Sequence, residues 1–315
     1  SSVVRNGFRP STTHQVRQAF VPPEWSFDTA QTAAVDKEIA SMLEIEACER
    51  IAAPVGGRVP PGACYSRLFC VDKPGGEHRP CLDLRLFNTS VRYHRFKLEG
   101  LRELSGQLRR GDWLAKLDLK KAYNIVPLDA DHRDSFRFTW RGVHYRMKTL
   151  MFGLSSAPRV FTKLFRPLIV KLRQRGIRCQ IYLDDLIVLG SSKERAAADT
   201  AIVLEELLKL GCVLAESKCQ LTPAQEIEYL GFQIDSKALL LKVPNKKMRA
   251  LRKDLRRVLR LAAASMPPPP SRMAHGQPTA RSTSAAAKRV LPATSTTCDE
   301  YYLRRVLPGR AGRAS

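Results

Sequence analysis

Residues 181–189, with the sequence IYLDDLIVL, constrain the fold of this chain more than any other segment. Two apolar runs flank the adjacent aspartates Asp184 and Asp185, and this pattern predicts two short strands joined by a tight turn. Tight hairpin turns favour Asn-Gly or Asp-Gly because they need positive φ angles, so two aspartates at this position indicate a function. No basic residue lies within the segment, so we expect another group to neutralise the two carboxylates.

A third aspartate, Asp118, ends another apolar strand-like run, which contains Trp113, Leu114 and Leu117. Two carboxylates at a strand turn and a third from a neighbouring strand form a site of hard oxygen ligands that suits Mg²⁺. The sequence therefore predicts a divalent-metal site. Taken alone, the pair at the turn also fits a solvated loop that binds nothing.

The segments around these aspartates alternate between predicted strands and helices. Strand patterns cover residues 67–71, 80–84 and 112–119, and a hairpin is predicted over 136–147. Helical spacing of apolar residues covers 34–50, 158–175 and 193–210. Pro158 suits the first turn of a helix, and Gly176 and Gly211 suit helix ends.

Four segments resemble, in their order and spacing, the motifs of the reverse transcriptase domain of retroelements. They are LDLKKAY at 117–123, MFGLSSAP at 151–158, YLDD at 182–185 and YLGF at 229–232, the last similar to the primer grip. Residues 72–80 and 83–88 resemble the fingers segment of the family. The sequence of these motifs is most similar to gypsy-type or tyrosine-recombinase-type retrotransposons. The resemblance implies an α+β, right-hand polymerase with fingers and an antiparallel palm sheet, and with most of the thumb missing.

The same resemblance implies a role for each matched residue. Asp118, Asp184 and Asp185 would be catalytic and hold two Mg²⁺ ions, or Mn²⁺, and Tyr123 would be the gate that excludes a 2′-hydroxyl. The residues implied to bind the nucleotide are Lys73, Arg79, Lys121, Ala122, Tyr123, Phe152, Gly153 and Lys218. Those implied at the primer and template are Arg85, Tyr182, Tyr229, Leu230 and Gly231, with Lys97, Lys163 and Arg166 as further phosphate contacts.

The charge of the chain predicts a polyanionic partner. The 53 lysines and arginines outnumber the 30 acidic residues and give a net charge of +23. With the resemblance, this implies an RNA template, a DNA or RNA primer and dNTPs as partners. No apolar run approaches the length of a membrane span, and the eight cysteines lack metal-site or disulfide spacing, so we expect an intracellular protein without a membrane partner.

The composition also divides the chain. We expect an N-terminal extension at 1–33, fingers and palm at 34–245, a remnant of a thumb helix at 246–262, and a disordered basic tail rich in Pro, Ala and Ser at 263–315. An intact set of aspartates beside a missing thumb predicts a truncated retroelement copy. The oligomeric state stays open.

Two other functions remain possible at this point. An RNA-templated RNA polymerase shares the palm metals, although Tyr123 and the finger motif argue against it. A domesticated, non-catalytic palm that only binds nucleic acid is the other alternative, and the three carboxylates argue against that one.

Overall fold

The computed structural model describes residues 2–73 and 75–265, which form a mixed α and β structure. Its helices are α1 (Ser2–Asn6), α2 (Thr29–Glu44), α3 (Arg85–Asn88), α4 (Leu101–Ser105), α5 (Ala157–Gln174), α6 (Lys193–Lys209) and α7 (Asn245–Ser265). Its strands are β1 (Cys48–Ile51), β2 (Tyr65–Ser66), β3 (Leu68–Asp72), β4 (His78–Leu82), β5 (Trp113–Asp118), β6 (Arg137–Trp140), β7 (Val143–Met147), β8 (Arg178–Tyr182), β9 (Asp185–Gly190), β10 (Gln220–Ala224), β11 (Glu226–Tyr229), β12 (Phe232–Asp235) and β13 (Leu240–Lys242).

An antiparallel sheet with the strand order β10-β5-β9-β8 forms the palm. Strands β5 and β9 are almost wholly apolar, and Leu117, Leu186 and Val188 are completely buried in the main core. Helices α5 and α6 pack against this sheet. Gly190 ends β9 where α6 comes closest, because a Cβ there would lie 2.4 Å from the backbone nitrogen of Ala196.

The described residues form three further sheets. A four-stranded sheet has the order β1-β7-β6-β2, β3 pairs with β4 in a hairpin, and β11, β12 and β13 form a third sheet. The β3–β4 hairpin carries the predicted basic fingertip, and the turn between β11 and β12 carries the predicted primer grip.

Most predicted elements lie within two residues of the observed ones, but the helix predicted at 34–50 is different. Helix α2 begins earlier, at Thr29, because Asp28 caps it and its carboxylate accepts a hydrogen bond from the Gln31 backbone N–H. It ends at Glu44, and Glu46 takes a positive φ of 52°. Residues 48–51 then form β1, which pairs with β7. The end of the predicted helix is therefore a strand.

The segment before α2, predicted to be an extension, packs against the body of the protein. Phe8 is buried in the main core and bridges to Leu128. The Gln18 side chain both donates to the carbonyl and accepts from the amide of Tyr65. The boundary at residue 33 itself stays a prediction.

The C-terminal part of the described chain is helix α7, which is longer than the predicted helix at 246–262. The tail predicted to be disordered at 263–315 therefore begins three residues too early, since 263–265 belong to α7, and the rest of it lies outside the described residues. Within the described residues, no helix has both the length and the apolar character needed to cross a membrane.

Candidate active site

The three aspartates of the sequence motifs lie at one edge of the palm sheet. Asp118 is the last residue of β5 and Asp185 the first residue of β9, and the two are register partners. Asp184 lies in the turn between β8 and β9, and its carbonyl accepts a hydrogen bond of 2.8 Å from the Leu119 amide. Leu183, before it, has a positive φ of 54°, which lets the strand pair reverse tightly.

Asp118 is buried, with 5% of its surface exposed, and it has a cationic partner. The ammonium of Lys218 lies 3.3 and 3.5 Å from its two carboxylate oxygens. Burial raises the pKa of Asp118 above its ordinary value and the negative charge of Asp185 adds to this, whereas Lys218 lowers it. Burial therefore makes the ionised form of Asp118 less favourable, and a further cation nearby would stabilise that form.

Asp185 also has a cationic partner, Lys116, whose ammonium lies 3.0 Å from Asp185 Oδ1. The contact is an ion pair without hydrogen-bond geometry, because this buried oxygen has no hydrogen-bond partner among residues 2–73 and 75–265. The expectation that a group from outside the segment neutralises the aspartates therefore holds for Asp118 and Asp185, whose partners are Lys218 and Lys116. Lys116 and Lys218 come from β5 and from the turn before β10, so neither adjoins the Asp184-Asp185 pair in the sequence.

The residues present fit a divalent cation as a pair of carboxylates. Asp118 and Asp185 supply hard oxygen ligands from neighbouring strands, and Asp185 Oδ1, which accepts no hydrogen bond from a described residue, is an unused ligand position. However, no three His, Cys, Asp or Glu side chains in the described part of the chain are grouped closely enough to share one ion. The predicted site of three carboxylates therefore stays a prediction.

The predicted sugar gate lies in an aromatic cluster. The ring of Tyr123 is 4.6 Å from that of Phe152 and 5.7 Å from that of Phe161, both edge to face. Tyr123 is buried, whereas Phe152 is half exposed. Gly153 has a φ of 92°, and its carbonyl accepts a hydrogen bond from the Asn88 side chain. These contacts fix the ring of Tyr123 below an exposed aromatic surface.

Lys121 and Ala122 follow Asp118 at the start of a short 3-10 turn. Lys121 has a φ of 50°, and its ammonium turns back to α2, where it contacts Ser41 and Glu38. Ala122 is buried. The side chain of Lys121 is thus engaged in the fold, so any contact with a nucleotide falls to the backbone of this turn.

The basic residues assigned to phosphates have different surroundings. Lys73, at the fingertip, lies 3.5 Å from Glu77, and Arg79 lies on β4 with no ion pair to any described residue. Arg85 forms a two-pronged pair with Asp83, and Lys97 pairs with Glu103. Lys163 and Arg166 are exposed on α5.

The predicted primer grip contacts the aspartate turn. Tyr229 is completely buried, and its hydroxyl lies 3.4 Å from the backbone carbonyl of Asp185. Burial raises the pKa of Tyr229 far above its ordinary value, so the hydroxyl stays protonated and can donate. Leu230 and Gly231 form the turn with positive φ angles of 49° and 74°. Tyr182, at the end of β8, pairs in register with Asp185.

The structure adds residues that the motifs did not indicate. A polar cavity of about 370 Å³ separates the aspartate turn from the primer grip, and its lining includes Lys116, Cys219, Gln220 and Glu228. Only Lys116 had a sequence signal: it lies two residues before Asp118, so alternation along a strand places both on one face of the sheet. The others follow from the position of β10 and β11.

A second, larger cavity of about 550 Å³ lies between the β3–β4 hairpin and the loop before α5. Its lining is mostly apolar and includes Trp25, Phe69 and Phe152, with Arg159 as a partly buried cation. The Nε atom of Arg159 has no hydrogen-bond partner among the described residues. The cavity adjoins Gly153 and Asn88, and thus continues the surface over the aromatic cluster.

The sequence and the fold both match known polymerases. The profile of the family described as "Reverse transcriptase (RNA-dependent DNA polymerase)" matches residues 71–234, more than half of the chain. The chain therefore belongs to the reverse transcriptase family, whose members are nucleotidyltransferases. This agrees with the α+β fingers and palm predicted from the sequence, and it favours a DNA polymerase over an RNA-templated RNA polymerase.

Individual relatives are viral and transposon polyproteins. The Gag-Pol polyprotein of Walleye dermal sarcoma virus is 28% identical over 171 residues, which are 53% of this chain and 10% of that protein. The retrovirus-related Pol polyprotein from transposon 297 of Drosophila melanogaster is 25% identical over 159 residues, 49% of this chain and 14% of that protein. The chain thus spans a small part of each relative.

A solved structure gives the same fold. The foamy viral protease-reverse transcriptase dRH, in complex with ds DNA, has a TM-score of 0.63 with this chain at 19% identity. The superposition covers 82% of this chain and 44% of that one. The predicted fold class is confirmed by this likeness.

Proposed function

We propose that this chain is the fingers and palm of an RNA-directed DNA polymerase that adds dNTPs to a primer. The observation that carries the proposal is the register pairing of Asp118 with Asp185 at the edge of an antiparallel sheet, beside Asp184. In the proposed reaction the primer 3′-hydroxyl attacks the α-phosphate of a dNTP, a new phosphodiester forms, and pyrophosphate leaves. The family match and the carboxylate positions support this proposal.

Asp118, Asp184 and Asp185 would hold the two Mg²⁺ ions, for which Mn²⁺ could substitute. Such ions, when bound, activate the attacking oxygen and stabilise charge on the leaving group. The burial of Asp118 and the lack of a hydrogen bond to Asp185 Oδ1 from any described residue support this assignment. The proposal includes Asp184 because it adjoins Asp185 in the chain and its carbonyl accepts a hydrogen bond from the amide of Leu119, the residue after Asp118.

The other residues would bind and orient the substrates. Arg79 and Lys73 at the fingertip bind the triphosphate, Arg79 through its fork of donors, and the backbone of Lys121 and Ala122 adds amide donors. Lys218, whose ammonium contacts Asp118, would donate a proton to the leaving pyrophosphate.

The aromatic cluster would select the sugar and the base. Tyr123 leaves no space for a 2′-hydroxyl, because its ring is fixed edge-on by Phe152 and Phe161. Phe152 and Gly153 contact the base of the incoming nucleotide, and Tyr182, Leu230 and Gly231 contact the primer end. The net charge of +23 supports an RNA template and a DNA or RNA primer held through their phosphates.

We further propose that the chain derives from a retrotransposon, of the gypsy or tyrosine-recombinase type, and that it works inside the cell, where templates and dNTPs occur. In the described residues one helix, α7, follows the primer grip.

Primer extension on an RNA template with dNTPs and Mg²⁺ tests the proposal. Asp184→Asn is expected to abolish extension and to leave template binding unchanged or stronger, because it removes one negative charge facing phosphate. Asp131→Asn, at an exposed carboxylate, is the matched control and should extend like the unmodified protein. Equal extension by Asp184→Asn and the control would show that the aspartate turn is not the active site.

One observation favours a second function, a palm that binds nucleic acid without catalysis. Lys116 and Lys218 neutralise two of the aspartates, so the palm is stable without a bound cation. Binding of an RNA–DNA hybrid in a gel-shift assay, together with no extension under any divalent cation, would support this second function over polymerisation.

A further inference from the structure

Lys116 lies on the palm sheet, and the proposed function gives it no role beyond its ion pair with Asp185. It is on β5, two residues before Asp118, so both side chains are on one face of the sheet. Its register partner on β9 is Ile187, and Asp185 is the diagonal neighbour two residues away. A long side chain reaches such a diagonal neighbour, and the ammonium indeed lies 3.0 Å from Asp185 Oδ1.

The burial of the pair makes this contact stronger than a surface ion pair. The side chains of Lys116 and Asp185 are 19% and 23% exposed. The oxygen that faces Lys116 is fully buried and accepts no hydrogen bond from any described residue. Lys116 is therefore the main stabilising group for the negative charge at Asp185 Oδ1.

The same oxygen is the unused ligand position of the site. A cation that used Asp185 Oδ1 would be placed close to the ammonium of Lys116, and the two positive charges would repel each other. Lys218 has the equivalent position on Asp118, at 3.3 Å. The palm therefore has a built-in ammonium on each of its two paired carboxylates.

We propose that Lys116 is a positioning residue that competes with divalent metal for Asp185, and so sets how tightly the palm binds metal. The inference rests on the proposed function, since it takes Asp185 as a metal ligand. In the metal-free protein Lys116 holds the carboxylate in place. Metal binding displaces the ammonium toward the polar cavity that Lys116 lines together with Gln220 and Glu228.

Binding of Mn²⁺ to the metal-free protein, followed by the EPR signal of free Mn²⁺ without template or nucleotide, tests the proposal. A charge within about 4–6 Å changes the proton affinity of a carboxylate by about one to three powers of ten. Because Lys116 is partly exposed, the lower end applies, and Lys116→Met should lower the Kd for Mn²⁺ about tenfold. Lys116→Arg keeps the charge and should bind like the unmodified protein.

Two controls separate this effect from a change in net charge. Lys120→Met removes the same charge from an exposed side chain four residues away and should leave the Kd unchanged. In an Asp185→Asn background, Lys116→Met should no longer tighten binding. Lys116→Gln is a second test variant if Lys116→Met does not fold. Without metal, Lys116→Met and Lys116→Gln should both melt at a lower temperature than the unmodified protein, since Asp185 loses its cationic partner.

Three results would overturn the proposal. They are equal or weaker Mn²⁺ binding by Lys116→Met, an equal gain from Lys120→Met, and no binding by any variant. Failure of the proposed polymerase function is a distinct outcome. In that case Lys116→Met would still bind Mn²⁺ about tenfold more tightly, but the unmodified protein would not extend a primer.

Discussion

Replacement of Tyr123 by alanine should relax the choice between deoxyribonucleotides and ribonucleotides. The ring is 5% exposed and is held edge to face by Phe152 and Phe161 at 4.6 and 5.7 Å, so it has little freedom to move aside. A 2′-hydroxyl forced against such a ring resembles an overpacked core group, which costs about 1–3 kcal/mol. Relief of that cost corresponds to a rise of about 5- to 150-fold in ribonucleotide use relative to deoxynucleotide use.

The same substitution also weakens the fold, and the assay must separate the two effects. Loss of a buried aromatic side chain costs about 3–5 kcal/mol of unfolding free energy, a large part of the about 5–15 kcal/mol that folded proteins have. Phe165→Ala is the matched control, because Phe165 is similarly buried and its ring stacks on that of Phe161. It should lose similar stability without any change in sugar choice.

The assay is single-nucleotide primer extension with each nucleotide in separate reactions, so that the ratio of kcat/KM values does not depend on the active fraction of enzyme. Tyr123→Phe keeps the ring and should keep the ratio. If Tyr123→Ala is folded and extends the primer with an unchanged ratio, the ring does not act as the sugar gate and is only a core aromatic residue.

Two further predictions concern stability. Gly190→Ala should lower the free energy of unfolding in urea by at least about 1–3 kcal/mol, because its Cβ would lie 2.4 Å from the Ala196 nitrogen, whereas Gly106→Ala, with neighbours no nearer than 3.6 Å, should have little effect. Asp118 has a raised pKa, so the folded state holds its proton more tightly than the unfolded state, and its contribution to stability falls as pH rises from about 3.8 through the folded pKa. Asp118→Asn should therefore flatten this part of the pH profile of the melting temperature, and a profile that keeps the same slope would contradict the assigned cause.

The sequence was sufficient for the elements whose signal is local. The apolar runs around Asp184 and Asp185 predicted the β8–β9 hairpin. The alternation of apolar residues up to Asp118 predicted β5, because the two-residue period of a strand can be read directly from the sequence. Helices α5 and α6 were predicted to within a residue at each end, since Pro158, Gly176 and Gly211 mark their limits.

What the sequence did not predict depends on contacts between distant residues. Lys218 is one hundred positions from Asp118, so their ion pair follows only from the placement of β10 beside β5. The packing of Phe8 could not be predicted from the sequence for a similar reason. Its segment contacts the rest of the protein through isolated β-bridges and side-chain hydrogen bonds, which leave no periodic pattern in the sequence. Residues 48–51 were predicted to be helical from their local pattern. They form a strand because their pairing with β7 outweighs that local preference.

The turn that carries Asp184 is held in its conformation from several sides. Leu183 has a φ of 54°, which is unfavourable for a side chain with a Cβ, and such a conformation persists only where the surroundings impose it. Here the imposing contacts are the register of β5 with β9, the bond from the Leu119 amide to the Asp184 carbonyl, and the Tyr229 hydroxyl at the Asp185 carbonyl. Because Tyr229 belongs to the primer-grip hairpin, a displacement of that hairpin acts directly on the backbone of the aspartate turn. The Tyr229 hydroxyl therefore links this hairpin to the aspartate turn. Under the proposed function, that contact would help to align a primer end with the reacting phosphate.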